Sequence, residues 1–308
     1  PDPFDVAASR RYPGDHVVYA EEGLQSTVSI QESPTGERRM FLDGMTQASD
    51  ERFTVTVHRA IGMLPAAIHA DPKNALVIGL GGGVTAGAAS QVSGLTVQVV
   101  ELTDSVVRAA QRFSHVNGDV VHRPNVQIRI DDGRNYMLLT SNRYDVLTAD
   151  IIRPNTAGAG NLYSREYFSL ASQVLNDGGL MLQWVGGIPE AQQKALVRTF
   201  LSVYPHTTLW QQSLLIGTKK PLLLREADFD RKLRDRATTD ALALIGVKSF
   251  SDLLAQYVAG PEQLREHVGD GLILTDDRPS VEYFLSLPND GPGTLDKLRG
   301  DVRKHVVP

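Results

Sequence analysis

The sequence has no cysteine, which excludes disulfides, thiol nucleophiles and thiolate-bound metals together and fits a reducing compartment. It also lacks a surplus of positive charge. The formal net charge is -5 at pH 7, and the only loose grouping of Lys and Arg lies in the tail at 297–304, so no nucleic-acid surface is expected. No apolar run approaches the length of a membrane span, and the first residues carry neither a basic region nor a signal-like hydrophobic core. The polypeptide as given is therefore expected to be soluble and to make no membrane contact itself. An initiator Met is missing too, which fits a piece excised from something longer. Several catalytic signatures are absent: His115 and His122 lack zinc-helix spacing, no Gly-x-Ser-x-Gly elbow occurs, and no phosphate-loop Gly-Lys-Ser/Thr follows the glycines. No metal is expected.

What remains is a globular composition. With 308 residues and 42% hydrophobic content, the chain can bury a large core and is expected to hold one large domain and a smaller one. Its most informative stretch begins at residue 75. Residues 75–79 are a short apolar run of the buried-strand type, glycines at 79, 81, 82 and 83 permit a tight turn, and an alanine-rich helix follows to about residue 92. A second apolar strand at 95–100 then stops on Glu101. Glycines let a ligand lie against the backbone, N–H groups at a helix start attract negative charge, and a carboxylate at the next strand's tip can grip two ribose hydroxyls. Val84 stands where a dinucleotide fingerprint has its third glycine, which weakens an NAD reading.

Around this stretch the periodicity changes in a regular way. Residues 16–47 alternate like a small antiparallel unit, with strands at 16–20, 25–30 and 39–43, a turn at 34–36, and Gly44 closing it. From Phe53 the apolar period becomes helical, with Phe53, Val57, Ile61, Leu64 and Ile68 on one face. After Glu101, helices are predicted at 103–113, 135–139, 164–175 and 189–203. Strands are predicted at 126–130, 144–149, 180–184, 207–210 and 214–217. Such alternation predicts a doubly wound sheet, which binds ligands beyond the carboxyl ends of its strands. Glu101, Asp132 and Asp150 all stand at those ends.

The order of these short motifs resembles the spermidine synthase (polyamine aminopropyltransferase) family over roughly residues 16–220. Residues 23–26 resemble the Tyr-Gln of its first hairpin, 42–47 its Leu-Asp-Gly-x-x-Gln, 78–83 its Ile-Gly-Gly-Gly-Asp-Gly, and 99–101 the strand ending on its ribose-binding acid. Asp132-Gly133 resembles the pair the family uses on the adenine, 162–168 the helix after its active-site loop, and 178–183 its late strand. The resemblance implies an α/β fold: a small N-terminal antiparallel β-domain (1–52), then a Rossmann-like doubly wound sheet of the S-adenosylmethionine-methyltransferase type (53–222). A mainly helical extension (223–308) is expected to pack on the catalytic domain. Carried over residue by residue, Gln25 and Gln47 would face the cofactor tail. Gly79, Gly81, Gly82, Gly83, Glu101, Asp132, Gly133 and Asp150 would hold the nucleoside. Asp150 would serve as base, with Tyr163 and His58 as helpers, while Val57, His58 and Arg153 would meet the acceptor. From the residues alone, Trp210, of a type that packs a core more often than it lines a pocket, could wall that site from a late strand end. Trp184 is a second candidate for a wall of that site.

Three departures matter. Gly82 replaces the family's acid that holds the amine end of decarboxylated S-adenosylmethionine; Arg153 replaces its second loop acid; and its diamine-pocket Tyr-Gln falls on Val57 and His58. Each removes a group that favours a cationic amine, and a dication beside a partly buried Arg153 would meet repulsion on the order of a few kcal/mol. The sequence thus leads to a transferase that uses an adenosyl sulfonium cofactor, S-adenosylmethionine or its decarboxylated form, on a small-molecule acceptor other than a simple diamine. The product would be S-adenosylhomocysteine or methylthioadenosine. A genuine polyamine aminopropyltransferase and a non-catalytic nucleoside-binding module are the alternatives. The resemblance also implies a homodimer or homotetramer that is cytoplasmic, or the soluble module of a longer membrane-associated protein. Residues 274–282 look like the Asn-Thr-Asp-Asp-Arg-Pro-x-x-Glu segment of such longer bacterial proteins; from the residues alone, 275–279 reads as a capped turn and not as a catalytic element.

Overall fold

The computed structural model describes residues 12–149, 158–282 and 291–308. The chain opens with an antiparallel sheet of β1 (His16–Glu22), β2 (Thr27–Glu32), β3 (Arg38–Leu42) and β4 (Met45–Ser49), hydrogen-bonded in that order. The last of these strands adds to the sequence reading, which ran the unit to residue 47 with Gly44 closing its third and last strand. Asp43 and Gly44 both have positive φ, 48° and 78°, and Leu42 pairs directly with Met45. The Asp-Gly pair is therefore the two-residue hairpin turn whose twist matches its strands, not a terminus.

Helix α1 (Arg52–Ile68) follows, and the Glu51 carboxylate caps it by accepting from the N–H groups of Phe53 and Thr54, each at 3.0 Å. The main sheet then builds from β5 (Asn74–Ile78), β6 (Thr96–Glu101), β7 (Val126–Ile130), β8 (Tyr144–Ala149), β9 (Leu175–Trp184), β10 (Thr208–Trp210), β11 (Leu214–Thr218) and β12 (Tyr257–Ala259). Its spatial order is β12-β10-β11-β9-β8-β5-β6-β7. The strands from β7 through β9 pair in parallel and the rest antiparallel. The chain goes outward from β5 to β6 and β7, then returns to set β8 on the other side of β5, so the topological switch lies between β5 and β8.

Successive residues of β5 serve opposite faces: Ala75 and Val77 belong to one buried core with α1, Leu76 and Ile78 to the other, the period of two that a strand covered on both sides requires. On the first face lie α1, α2 (Val84–Ala89) and α3 (Asp104–Ala110); on the second lie α5 (Gly133–Leu139), α6 (Arg165–Val174) and α7 (Glu190–Val203). The predicted helix 103–113 is in fact broken. After α3 comes one 3₁₀ turn and the short α4 (Ser114–Asn117), which stops at Gly118 with φ 66°. Strand β9 starts at Leu175, earlier than the predicted residue 180. Toward the C-terminus come α8 (Glu226–Leu233), α9 (Arg236–Ala243), α10 (Phe250–Ala255) and, beyond β12, α11 (Pro261–Val268). Lys232 of α8 donates to the carbonyl oxygens of Ala67, at 2.8 Å, and His69. It thereby satisfies acceptors that the end of α1 leaves free. No helix among the described residues is long and apolar enough to cross a membrane.

Candidate functional site

The parallel strands deliver their acidic and glycine-rich ends to one edge of the sheet. At the tip of β5 the backbone turns through Gly79, Gly81 and Gly83 at φ 87°, 52° and 79°, conformations that a side chain disfavours. A Cβ placed on Gly81 would meet nothing within 4 Å, so the space above the turn is open for a ligand.

Beneath the turn the packing is tight. The Glu101 carboxylate at the tip of β6 is 7% exposed and accepts from the N–H of Leu80 at 2.7 Å and of Thr103 at 3.0 Å. Burial raises its pKa above the usual carboxylate range, and the backbone donors of Leu80 and Thr103 work against that rise. Asn117, 2% exposed, donates to the carbonyl oxygens of Gly82 and Ala110, each at 2.9 Å. The turn is thus strapped from two sides. Sequence reasoning missed Asn117, because an Asn before a Gly reads as an ordinary helix end.

Strand β7 joins the same corner. The Asp131 N–H donates to the Glu101 carbonyl at 3.0 Å, and Asp132 caps α5 by accepting from the Asn135 N–H at 2.9 Å. Gly133 opens that helix where a Cβ would sit 2.6 Å from Ile78 Cγ2, so close approach of helix to strand dictates glycine there. Strands β5, β6 and β7 therefore bring Gly79, Gly81, Gly82, Gly83, Glu101, Asp132 and Gly133 to one edge. Asp150 follows β8, whose Ala149 pairs with Ile78; Asp150 itself and Arg153 lie outside the described residues.

The small sheet contributes from above. Gly23 in the β1–β2 turn abuts Thr103 and Ser105, just past Glu101, and this turn carries the exposed Gln25. Strand β4 carries the half-buried Gln47 and sets Ala48 over the glycine turn. A Cβ on Gly82 would lie 3.0 Å from the Ala48 Cβ, so the position where the resemblance expects an acid is closed by β4. Reintroducing that acid as Gly82→Asp is expected to lower stability by about 1–3 kcal/mol, since Ala48 must yield. Chemical denaturation checks this, and an unchanged midpoint would show that β4 moves aside freely.

Helix α1 links this corner to a cleft. His58, half-buried, has Nδ1 3.3 Å from the Thr85 Oγ of α2, beside the glycine turn. Its neighbour Val57 lines a cavity of about 520 Å³ together with Phe53, Gly186, Gln193, Gln212 and Asp296, among others. Amides and hydroxyls dominate its polar lining, and Asp296 is its sole carboxylate among the described residues.

Two expected site residues are placed differently. Trp210 is fully buried, donates its indole N–H to Thr208 Oγ at 2.8 Å and stacks edge-on with Tyr257. It is a core residue because β10 lies between β11 and β12, and its successors Gln211 to Leu214 line the cleft instead. Tyr163 is likewise buried, at 2% exposure, in the core of the second face. Trp184, half-buried, covers Gly186 at the cleft rim. Among the described residues no cluster of three or more His, Asp or Glu could hold a metal ion.

Comparison with known proteins gives a consistent result. Residues 54–198 match the family described as spermine/spermidine synthase domain. The polyamine aminopropyltransferase of Methanocaldococcus jannaschii is 30% identical over 169 residues, covering 54% of this chain and 57% of that protein. Its namesake from Nitrosomonas europaea is 27% identical over 253 residues, covering 77% and 73%. The chain thus spans less than two thirds of the length of the first of these relatives. Among solved structures, a spermidine synthase in complex with the transition state analogue AdoDATO superposes with a TM-score of 0.66 at 20% identity, over 82% of this chain and 88% of that one. The spermidine synthase of Thermotoga maritima superposes with a TM-score of 0.64 at 20% identity, over 82% and 87%. The glycine turn, the acid at the tip of β6 and the parallel strands β5 to β9 thus sit within the residues that resemble the spermine/spermidine synthase domain, and the fold is that of the spermidine synthase structures.

Proposed function

We propose that the protein transfers an aminopropyl group from decarboxylated S-adenosylmethionine to an amine acceptor and releases methylthioadenosine. The observation that carries this reading lies on α1: His58 bonds Thr85, two residues past the glycine turn that would seat the nucleoside, and its neighbour Val57 lines the cleft. A cofactor in the first space would present its reacting carbon toward an acceptor in the second. The residues fit an adenosyl group, with open space above Gly81, a buried carboxylate at Glu101 for a ribose, and Asp132 beside the turn. The relatives named polyamine aminopropyltransferase favour this reading over an acceptor outside polyamine chemistry.

The chemistry asks little of the protein. The amine lone pair attacks the carbon next to the positive sulfur in line with the breaking bond; a C–N bond forms, the C–S bond breaks, and sulfur keeps the electron pair as a neutral thioether. The amine proton goes to a base, for which Asp150 is the proposed group. Gln25 and Gln47 would flank the cofactor tail, and Tyr163 would act through the packing of its segment.

A second reading has its own observation. Position 82 carries glycine, with the Ala48 Cβ packed closely over it, in place of the acid that would select the amine end of the decarboxylated cofactor, and the cleft has a lining of amides. On that reading the acceptor differs from a simple diamine and Arg153 faces an anion. Product analysis separates the two. The protein is incubated with putrescine, or with amines that carry a carboxylate, and with S-adenosylmethionine or its decarboxylated form. Methylthioadenosine with aminopropylated putrescine is expected. S-adenosylhomocysteine would mean methyl transfer, and binding without any product would leave a nucleoside-binding module. Asp150→Asn is expected to lower turnover while nucleoside affinity stays the same; undiminished turnover would remove Asp150 from the role of base.

A further inference from the structure

The segment 274–282, which reads as a capped turn in the sequence, is bound to the edge of the site by polar contacts spread along its length. Leu274 anchors it, donating its N–H to Thr199 Oγ at 2.9 Å and accepting from the Arg165 N–H at 2.9 Å. Asp276 then takes the Arg134 guanidinium in a two-point grip, Nη1 to Oδ1 at 2.8 Å and Nη2 to Oδ2 at 2.6 Å. Arg134 lies two residues beyond Asp132, in the first turn of α5, and also donates to the Asn161 carbonyl. The hydroxyl of Ser164, the N-cap of α6, donates to Asp276 as well, and the Asp276 N–H donates to Glu166 at 3.1 Å. Six residues further on, the Glu282 carboxylate accepts from the N–H of Gly158 at 2.8 Å and of Gly160 at 3.1 Å. Pro279 closes the contact: a Cβ on Gly160 would lie 2.4 Å from the Pro279 Cβ.

Two features set this apart from an ordinary surface turn. A bidentate arginine–carboxylate pair fixes orientation as well as distance, and a carboxylate that accepts from two backbone N–H groups fixes the backbone itself. Both grips fall on segments that carry proposed site residues: α5 with Asp132 on one side, residues 158–164 with Tyr163 on the other. The Arg134 guanidinium holds the Asp276 carboxyl below the usual carboxylate range, in keeping with a paired, ionised group.

We propose that Asp276 and Glu282 are positioning residues, a clamp that holds α5 and the 158–164 segment in the geometry that binds the nucleoside. The inference rests on the reading of Asp132 as an adenine-side residue. Neither carboxylate is assigned contact with a substrate; each acts through the segment it grips.

The test uses the purified chain and three variants, Asp276→Asn, Glu282→Gln and Arg134→Lys, each measured for affinity to methylthioadenosine by calorimetry and for kcat and KM. Asp276→Asn is expected to weaken nucleoside affinity and raise the nucleoside KM about 5- to 30-fold with kcat changed less than threefold, because the pair is partly exposed and held at two points. Arg134→Lys keeps the charge but not the fork and is expected to show a similar loss. Glu282→Gln, the mildest change, keeps the fold and is expected to show a smaller loss of the same kind. Restoration of affinity in the double variant Arg134→Asp with Asp276→Arg would support the pairing directly. Variants with lower melting temperatures but wild-type affinity and KM would overturn the proposal and leave only a structural latch. A wild-type chain that binds no adenosyl nucleoside would overturn both this inference and the proposed function, whereas normal wild-type binding with unaffected variants would overturn the clamp alone.

Discussion

Glu101→Gln is expected to abolish most nucleoside binding while leaving the chain folded. The carboxylate lies at the tip of β6, nearly buried, with one oxygen toward Leu80 N–H and the other toward Thr103 N–H. A ribose hydroxyl on either oxygen would share it with these donors and with the nearby N–H groups of Leu102 and Gly81. The amide removes the charge that strengthens those bonds and aims an NH₂ at a backbone donor. Charge-assisted hydrogen bonds contribute roughly 1.5–3 kcal/mol each, so loss of two corresponds to a fall in affinity on the order of a hundredfold or more. Calorimetry with methylthioadenosine reads this, and a variant that binds within threefold of wild type would remove Glu101 from the site. Stability supplies a second measure. Burial raises the Glu101 pKa, so the folded state holds this proton more tightly than the unfolded chain does. The group's contribution is then fully present below the ordinary carboxylate pKa and is lost as pH rises through the raised value. Glutamine has no such titration, so the stability advantage of wild type over the variant should shrink as pH rises across that window.

Gly87→Ala is expected to produce the largest loss of stability. Gly87 lies in α2, and a Cβ there would sit 1.9 Å from the Asn117 carbonyl oxygen and 2.9 Å from its carbon. Alanine is the better helix former by about 1 kcal/mol, but a backbone atom cannot rotate out of the way as a side chain can. The helix or the Asn117 turn must move, at a cost of about 3 kcal/mol or more. That overrides the propensity gain, and a fall in Tm on the order of 5–10 °C follows for a chain of this size. Asn117 also holds the Gly82 carbonyl, so nucleoside affinity should fall alongside stability. An unchanged Tm would show that α2 and the 117 turn are less tightly coupled than their contact implies.

Much of this site is legible in the sequence because its signals are local. The glycines of 79–83, the acid after β6 and the Asp-Gly after β7 each follow from the chemistry of a strand's end, and the alternation of strand and helix follows from hydrophobic period. The errors are local as well. The Asp43–Gly44 turn depends on backbone conformations that Asp and Gly permit without requiring, and the passage from α to 3₁₀ at Ala110-Gln111 uses right-handed dihedrals that no residue type there marks. Trp210 packs the core, the commoner place for a tryptophan, and only the flanking of β10 by β11 and β12 decides this against a pocket wall.

By itself, then, the sequence determined the element order, the nucleoside-type turn, the lone carboxylate at the tip of β6 and the resemblance to spermidine synthases, since these rest on neighbours within a few residues. The tertiary structure alone decided that Ala48 covers Gly82, that Asn117 straps the turn, that residues as distant as Phe53 and Asp296 share one cleft, and that Glu282 reaches Gly158 across 124 positions. Those contacts depend on which strands lie side by side and on how closely helices approach them, and no local pattern of residue types encodes either.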